Sequence, residues 1–225
     1  MVSERYTLCI RLPAIFSGQY ILTKLLIEKK SEGILFVISA PSGGGKTTIL
    51  NSVMELCPGL KRSVSCTTRP RRKGEVDGVD YHFITGKEFS TMREDGKFLE
   101  WAEIYGSLYG TPLEPIQEAT SKGIDVALAI DVQGAREINC QYSHAVFVFI
   151  MPPSLEELER RLKGRGSEQD RSLSTRLENA GKEISTVNEY DYIIINHHFE
   201  ESVTEMQAVI TAERLKRNRY IINTE

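Results

Sequence analysis

The residues with the most chemistry to offer lie between Ile34 and Leu50, in the stretch ILFVISAPSGGGKTTIL. Gly43, Gly44 and Gly45 let main-chain N–H groups turn inward without Cβ clashes, and a helix opening at Lys46 adds the positive end of its dipole to that nest. An anion belongs there. Lys46 stands where an ammonium group reaches the β- and γ-phosphates of a nucleotide, and Thr47 follows with a hydroxyl suited to Mg2+. The run Ala40, Pro41, Ser42, Gly43, Gly44, Gly45, Lys46, Thr47 and Thr48 therefore reads as a site for ATP, with Mg2+ as cofactor. The general pattern, G-x-x-x-x-G-K-S/T, begins with glycine where this chain has Ala40, at the position that contacts phosphate least.

These groups need a strand to end, and a helix to begin, at the loop. ILFVI is a short apolar run with two β-branched residues, as expected of a strand covered on both faces, and the helix after the loop runs to about Leu56, before Pro58-Gly59. Between Arg62 and Gly110 the short segments SVSCTT, VDYHFI and KFLEWAEI, broken at Gly74, Asp77-Gly78 and Asp95-Gly96, predict a small antiparallel lobe inserted into the core. Within it Thr85 and Glu88 have capping-box spacing.

The core pattern then resumes. A helix is predicted near Glu114 to Lys122, followed by the strand DVALAID, whose alternation puts Ala127, Ala129 and Asp131 on one face. After the strand AVFVFI, Ser154 and Glu157 cap a helix with the stripe Leu155, Leu158 and Leu162, and Arg161 and Arg165 share another face. A second helix carries Leu173, Leu177, Ala180, Ile184 and Val187. DYIIIN is a further buried strand, and a last helix packs Phe199, Val203, Met206 and Ile210. Strands alternating with helices around a glycine loop predict an α/β fold with a doubly wound parallel sheet and two insertions.

Composition narrows the partners. The 28 basic and 31 acidic residues nearly balance, so no global field points to nucleic acid or an anionic membrane. Cys9, Cys57, Cys66 and Cys140 lack paired spacing, as expected of free thiols in a reducing cytoplasm. His82 and His144 stand alone and the adjacent His197 and His198 diverge, which argues against a histidine metal site. No apolar run is long enough to span a bilayer, so a soluble cytoplasmic protein is expected, as a monomer or a homo-oligomer. Residues 1–32 read as a loosely ordered N-terminal extension.

The segments SVSCTTRPRRKGEVDGVDYHF, FLEWAEIYGSLYGT and AIDVQGA, in this order and at this spacing, strongly resemble the guanylate kinase family from about Gly33 to Arg219. The resemblance implies a phosphate-loop kinase core (33–62, 112–152 and 188–222), an inserted GMP-binding lobe (63–111) and a helical lid (153–187). It implies ATP-dependent phosphorylation of GMP, and of dGMP, to the diphosphate, in purine nucleotide metabolism. By position, Arg69, Arg72, Tyr81 and Tyr109 would hold the GMP phosphate, and Ser65, Glu100 and Thr111 would read guanine. Arg161, Arg165 and Arg176 match lid arginines, with Arg161 and Arg176 joining Lys46 in catalysis; Asn196 matches an adenine-side residue. Thr111 replaces the family's usual serine. The pattern L-D-I-D-x-Q-G reads Leu128-Ala129-Ile130-Asp131-Val132-Gln133-Gly134 here, which leaves Asp131 as the one acid to orient bound water or guanine nucleotide. Two other activities share parts of this pattern: a protein-binding module of the same fold without catalysis, and a kinase acting on a phosphorylated sugar. The intact Lys46 speaks against the first and the base-reading Glu100 against the second.

Overall fold

The computed structural model describes residues 5–13, 20–104, 106–142, 144–164 and 173–224. The chain opens with two strands, β1 (Arg5–Pro13) and β2 (Tyr20–Lys29), paired antiparallel from Arg5 opposite Glu28 to Pro13 opposite Tyr20. Next come β3 (Leu35–Ser39), the phosphate loop, α1 (Lys46–Leu56) and β4 (Leu60–Arg62). A separate sheet contains β5 (Cys66–Thr67), β6 (His82–Phe83), β7 (Phe98–Ile104) and β8 (Ser107–Pro112), with α2 (Gly86–Glu94) between β6 and β7. The core continues through α3 (Leu113–Ser121), β9 (Asp125–Ala129), α4 (Val132–Gln141) and β10 (Val146–Met151). After α5 (Leu155–Gly164) and α6 (Leu173–Ile184) come β11 (Tyr192–Ile195), α7 (Phe199–Leu215) and β12 (Tyr220–Thr224).

The central sheet has the order β11-β10-β3-β9-β4, and every neighbouring pair in it is parallel. Strict alternation along the strands divides its core in two. Phe36, Ile38, Val148 and Ile150 face Ile49, Leu50 and Val53 of α1 and Val203, Met206 and Ile210 of α7. On the other face Leu35, Val37, Val126, Leu128 and Phe147 meet Ile116 of α3 and Ala135 and Ile138 of α4. Strands covered on both sides are mostly apolar, which is why they read as near-continuous apolar runs, with polar residues such as Ser39 and Asp125 at their ends. Each fully buried side chain such as Phe36 or Met206 contributes about 1.5–3 kcal/mol by leaving water. With helices on both faces, the carboxyl ends of the strands form the open crevice where such folds bind ligands. The phosphate loop follows β3 there, Arg62 ends β4, and Asn196 follows β11.

Several local expectations differ from the structure, and DYIIIN is one of them, because β11 is an edge strand that leaves Ile193 and Ile195 more than half exposed and buries Ile194 alone. Residues 1–32 are not a loose extension throughout, since β2 pairs with β12 from Lys29 opposite Tyr220 to Leu25 opposite Thr224, closing a three-stranded sheet outside the core. The inserted sheet, of order β6-β5-β8-β7, is mixed. The long loop through Arg69 and Arg72 brings β6 back parallel to β5, whereas β5–β8 and β7–β8 are antiparallel. Leu155 and Phe199 stand at the first turns of α5 and α7, the former more than half and the latter about one third exposed, and the buried stripes behind them begin at Leu158 and Val203. The Thr85–Glu88 capping box closes in both directions, while at α5 the Glu157 N–H donates to Ser154 Oγ at 3.1 Å and the Glu157 carboxylate turns to Arg160 and Arg161.

Asp125 anchors the opposite end of the core. Its Oδ1 accepts the Ile34 N–H at 2.7 Å and its Oδ2 accepts Arg214 Nε at 2.7 Å, so one buried carboxylate ties β9 to the entry of β3 and to α7. Asp125→Ala would leave a buried N–H and a half-buried guanidinium without their acceptor, and is expected to lower stability by about 3 kcal/mol. Urea denaturation checks this, and a loss under about 1 kcal/mol would show that the carboxylate is dispensable.

Candidate functional site

The phosphate loop is held by its own turn and by β11. The Gly44 N–H donates to the Pro41 carbonyl at 2.8 Å, and Gly45, with φ of 99°, is the residue before α1. Asn196 completes the clamp. Its Nδ2 donates to the Gly44 carbonyl at 2.8 Å, its N–H to the Met151 carbonyl at 2.7 Å, and its own carbonyl accepts from an Arg161 terminal nitrogen at 2.9 Å. A side chain matched by position to the adenine side thus spends its amide on the loop, because it is buried and the Gly44 carbonyl is within reach. Arg161 is held in turn by Glu157, which accepts its Nε at 2.7 Å. The carboxyl of Glu157 is pulled down to about 2 by hydrogen bonds from Arg160 and Arg161.

Lys46 is the first residue of α1, and its Nζ donates to the Ile130 carbonyl at 2.6 Å. Desolvation brings its ammonium down to about 8, against the pull of Asp131, Glu183 and Glu100, while Arg62 adds to the lowering. Thr47 and Thr48 follow on the exposed side of the first turn; Ser42 is exposed, and Ala40 is buried. Glu183, on α6, accepts the Ser42 main-chain N–H. Asp131 proves to be the N-cap of α4 and not a strand residue, since β9 ends at Ala129; its Oδ1 accepts the N–H groups of Gln133 at 2.7 Å and Gly134 at 3.1 Å. The alternation expected of the strand holds, with Ala127 and Ala129 packed toward α1 and α7.

Glu100, on β7, is buried. Thr111 Oγ1 donates to its Oε1 at 2.5 Å, and Ser65 Oγ lies 3.4 Å from Thr111 Oγ1. Desolvation pushes the Glu100 carboxyl up to about 7, with Thr111 opposing and Asp131 and Glu137 adding to the rise. Gly134 makes this packing possible, because a Cβ there would sit 2.5 Å from Glu100 Oε2.

A third group gathers in the loop between β5 and β6. Arg69 Nε donates to Tyr109 Oη at 3.2 Å, its guanidinium lies 5.6 Å from the Tyr81 ring centre, and the Tyr81 and Tyr109 rings meet edge to face at 5.8 Å. Glu75 organises the loop by accepting Arg69 NH2 at 2.7 Å and the Arg72 N–H at 2.7 Å, while the Arg72 side chain is exposed. Arg176 is half-buried on α6, and Arg165 lies outside the described residues.

The three groups face one another. Lys46 feels Glu100 and Asp131, and Arg62 acts on both Lys46 and Tyr81, so the cleft holds a cationic phosphate loop, a buried acceptor and a second cationic patch. Glu75, Glu183 and Arg62 escaped the sequence reading. The spacing of Glu75 from Arg69 and Arg72 is a usable signal, whereas Arg62 and Glu183 reach the cleft only through tertiary packing.

A Cβ on Gly45 would fall 2.3 Å from Asn196 Nδ2, which the Gly44 carbonyl already holds. Gly45→Ala is therefore expected to weaken ATP binding at least tenfold, about 1.4 kcal/mol, with cooperative unfolding retained. Calorimetric titration with ATP checks it, and unchanged affinity would show that the loop can re-form around a side chain.

Comparison with known proteins agrees with this geometry. The family model described as guanylate kinase matches residues 32–213. The guanylate kinase of Geobacter metallireducens is 47% identical over 192 residues, spanning 85% of this chain and 95% of that protein. That of Syntrophotalea carbinolica is 48% identical over 190 residues, spanning 84% and 90%. The crystal structure of guanylate kinase from Anaplasma phagocytophilum superposes with a TM-score of 0.72 at 36% identity, covering 86% of this chain and 92% of that one. With its phosphate loop, buried carboxylate and arginine–tyrosine patch in one crevice, the chain belongs to the guanylate kinase family.

Proposed function

We propose that this protein transfers the γ-phosphoryl group of ATP to the phosphate of GMP or dGMP, giving ADP and the nucleoside diphosphate. The observation that carries the reading is the buried Glu100, held by Thr111 and backed by Gly134, in the same cleft as Lys46. Guanine offers N1–H and an exocyclic amine on one edge, a pair of donors that a carboxylate accepts and adenine lacks. A buried acceptor left unpaired costs about 1–3 kcal/mol, which is the basis of selection against AMP. Neither a phosphorylated sugar nor a protein ligand needs that edge reader.

We assign residues 63–111 to GMP, residues 153–187 to a lid over ATP, and the remainder of 33–222 to the core. Arg69 and Arg72 would grip the acceptor phosphate with charge-assisted donors, with Tyr81 and Tyr109 fixing its orientation. No side chain must remove a proton, because a phosphate monoester has a second pKa near 6 and is mostly dianionic at neutral pH. Catalysis is then positioning and neutralisation. Lys46 would hold the donor's β- and γ-phosphates, and Arg161 and Arg176 would brace the group in transit. The field of Arg62 reaches both sides of that path.

Mg2+ suits the donor set as the nucleotide's own counter-ion. Thr47 offers one hard oxygen, and among the described residues no group of three His, Cys, Asp or Glu side chains could cage a metal. Thr47 would hold it together with phosphate oxygens and water, and when bound it supplies charge neutralisation at the β- and γ-phosphates. Among the described residues no helix is long and apolar enough to cross a membrane. We place the protein in the cytoplasm, in keeping with its free Cys9, Cys57, Cys66 and Cys140.

Glu100 must be ionised to accept two guanine donors. With its carboxyl at about 7, the ionised fraction falls about tenfold between pH 8 and pH 6, and the KM for GMP is expected to rise accordingly. The phosphate's own titration adds to the slope, so the comparison is with Glu100→Gln, which removes the carboxyl's share. Steady-state rates at saturating ATP test it; parallel pH profiles for the two proteins would remove Glu100 from base recognition.

A further inference from the structure

A cavity of about 230 Å3 lies at the opposite end of the core from the phosphate loop, between the three-stranded sheet and the entries to β3 and β9. Its walls include Lys29, Lys30, Glu32, Asp125, Arg214 and Arg219. Asp125 is fully engaged there, with one oxygen on the Ile34 N–H and the other on Arg214 Nε. That pair is electrically closed. Among the described residues Lys29, Lys30 and Arg219 have no ion-pair partner, and Arg219 Nε is buried without any acceptor. Three open cations therefore face a concave space against the single exposed carboxylate of Glu32.

A buried N–H of a guanidinium without an acceptor carries a desolvation cost that an anion entering the cavity would relieve. The main chain holds the arrangement in place: the Lys30 N–H donates to the Arg219 carbonyl at 2.8 Å, where β2 meets the approach to β12. Size limits the ligand. Pockets for whole drug-sized molecules begin near 300 Å3, so this cavity suits one or two phosphate groups, with any attached nucleoside left outside. Arginine and lysine together are the usual phosphate grip, the first as a planar donor and the second as a mobile point charge.

We infer that this cavity is a second anion site, for a phosphate group, built by Lys29, Lys30 and Arg219. These three residues sit at the end of β2 and in the turn before β12, at the opposite end of the core from the phosphate loop, so the site does not depend on how the catalytic cleft is read. The phosphate can come from inorganic phosphate or pyrophosphate, or from the tail of a nucleotide.

The test is NMR titration of the 15N-labelled full chain with inorganic phosphate, pyrophosphate and ATP, each at constant ionic strength set with NaCl. The Arg219 Nε–H resonance is identified by its loss in Arg219→Lys. Expected is a saturable shift of that resonance together with the Gly59 and Gly123 amides, weakened at least tenfold in Lys30→Ala/Arg219→Ala, while phosphate-loop amides respond as before. Lys30→Glu, a change at an exposed side chain, gives the same weakening should the double variant not fold. Tighter binding of phosphate or pyrophosphate identifies free ions as the source, and tighter binding of ATP at these resonances identifies a nucleotide tail. Shifts confined to residues 41–47, equal shifts with NaCl alone, or full retention in Lys30→Glu would overturn the site.

Discussion

The bond from Asn196 Nδ2 to the Gly44 carbonyl is the constraint on which the cleft depends. A glycine loop is conformationally loose by composition, and three adjacent glycines lose more backbone entropy on ordering than most sequences do. What orders it is the end of β11. Because Asn196 also meets Met151, Arg161 and Ser202, the same residue registers the loop against β10, α5 and α7. A displacement of α5 would therefore be felt at the Gly44 carbonyl through one intervening residue. The loop is thus coupled to α5 through Asn196, and the placement of Arg161 and the geometry of the loop cannot be treated as separate properties.

Two desolvated titratable groups of opposite sign, the half-buried Lys46 and the buried Glu100, stand on this scaffold. Lys46 at about 8 and Glu100 at about 7 both depart from their ordinary values in the direction that disfavours charge, each chiefly through desolvation. The signs have opposite consequences for the free protein. Glu100 binds its proton more tightly when folded, so its contribution to stability declines as pH rises from about 4.5 to 7. Lys46 binds its proton less tightly when folded, so its contribution improves as pH rises from about 8 to 10.5. Such costs would be pointless in a purely structural core. They accord with the roles proposed for the two groups, the lysine toward a polyphosphate and the carboxylate toward the N–H donors of a base.

Local chemistry was legible in the sequence, and long-range pairing was not. The strand–loop–helix around Lys46, the Thr85–Glu88 capping box and the alternation of DVALAID as far as Ala129 each declare themselves within a few residues, and each formed as read. The β2–β12 pairing joins residues about 195 apart, and neither strand has enough apolar alternation to announce it alone. The parallel return of β6 likewise depends on a loop path that propensity does not encode. Asp131 was placed on a strand because alternation continues smoothly to it. Yet an aspartate two residues before Gln133 and three before Gly134 is also an N-cap in waiting, and the free N–H groups of α4 decide the matter.

That capping role changes what the Ala129 substitution means. In L-D-I-D-x-Q-G a carboxylate at 129 would project from the strand face packed toward α1, beside the apolar cluster that Ala129 now joins. Asp131, the second acid of that pattern, is kept and supplies negative charge from the neighbouring turn, with Oδ1 committed to α4 and its field felt by Lys46. An aspartate fixed by two main-chain donors is a rigid electrostatic element, able to orient a cation or water but poorly suited to swing toward a ligand. With Ala129 in place of an acid, the carboxylates whose field Lys46 feels are Asp131, Glu183 and Glu100, and of these Asp131 is fixed by the main chain of α4.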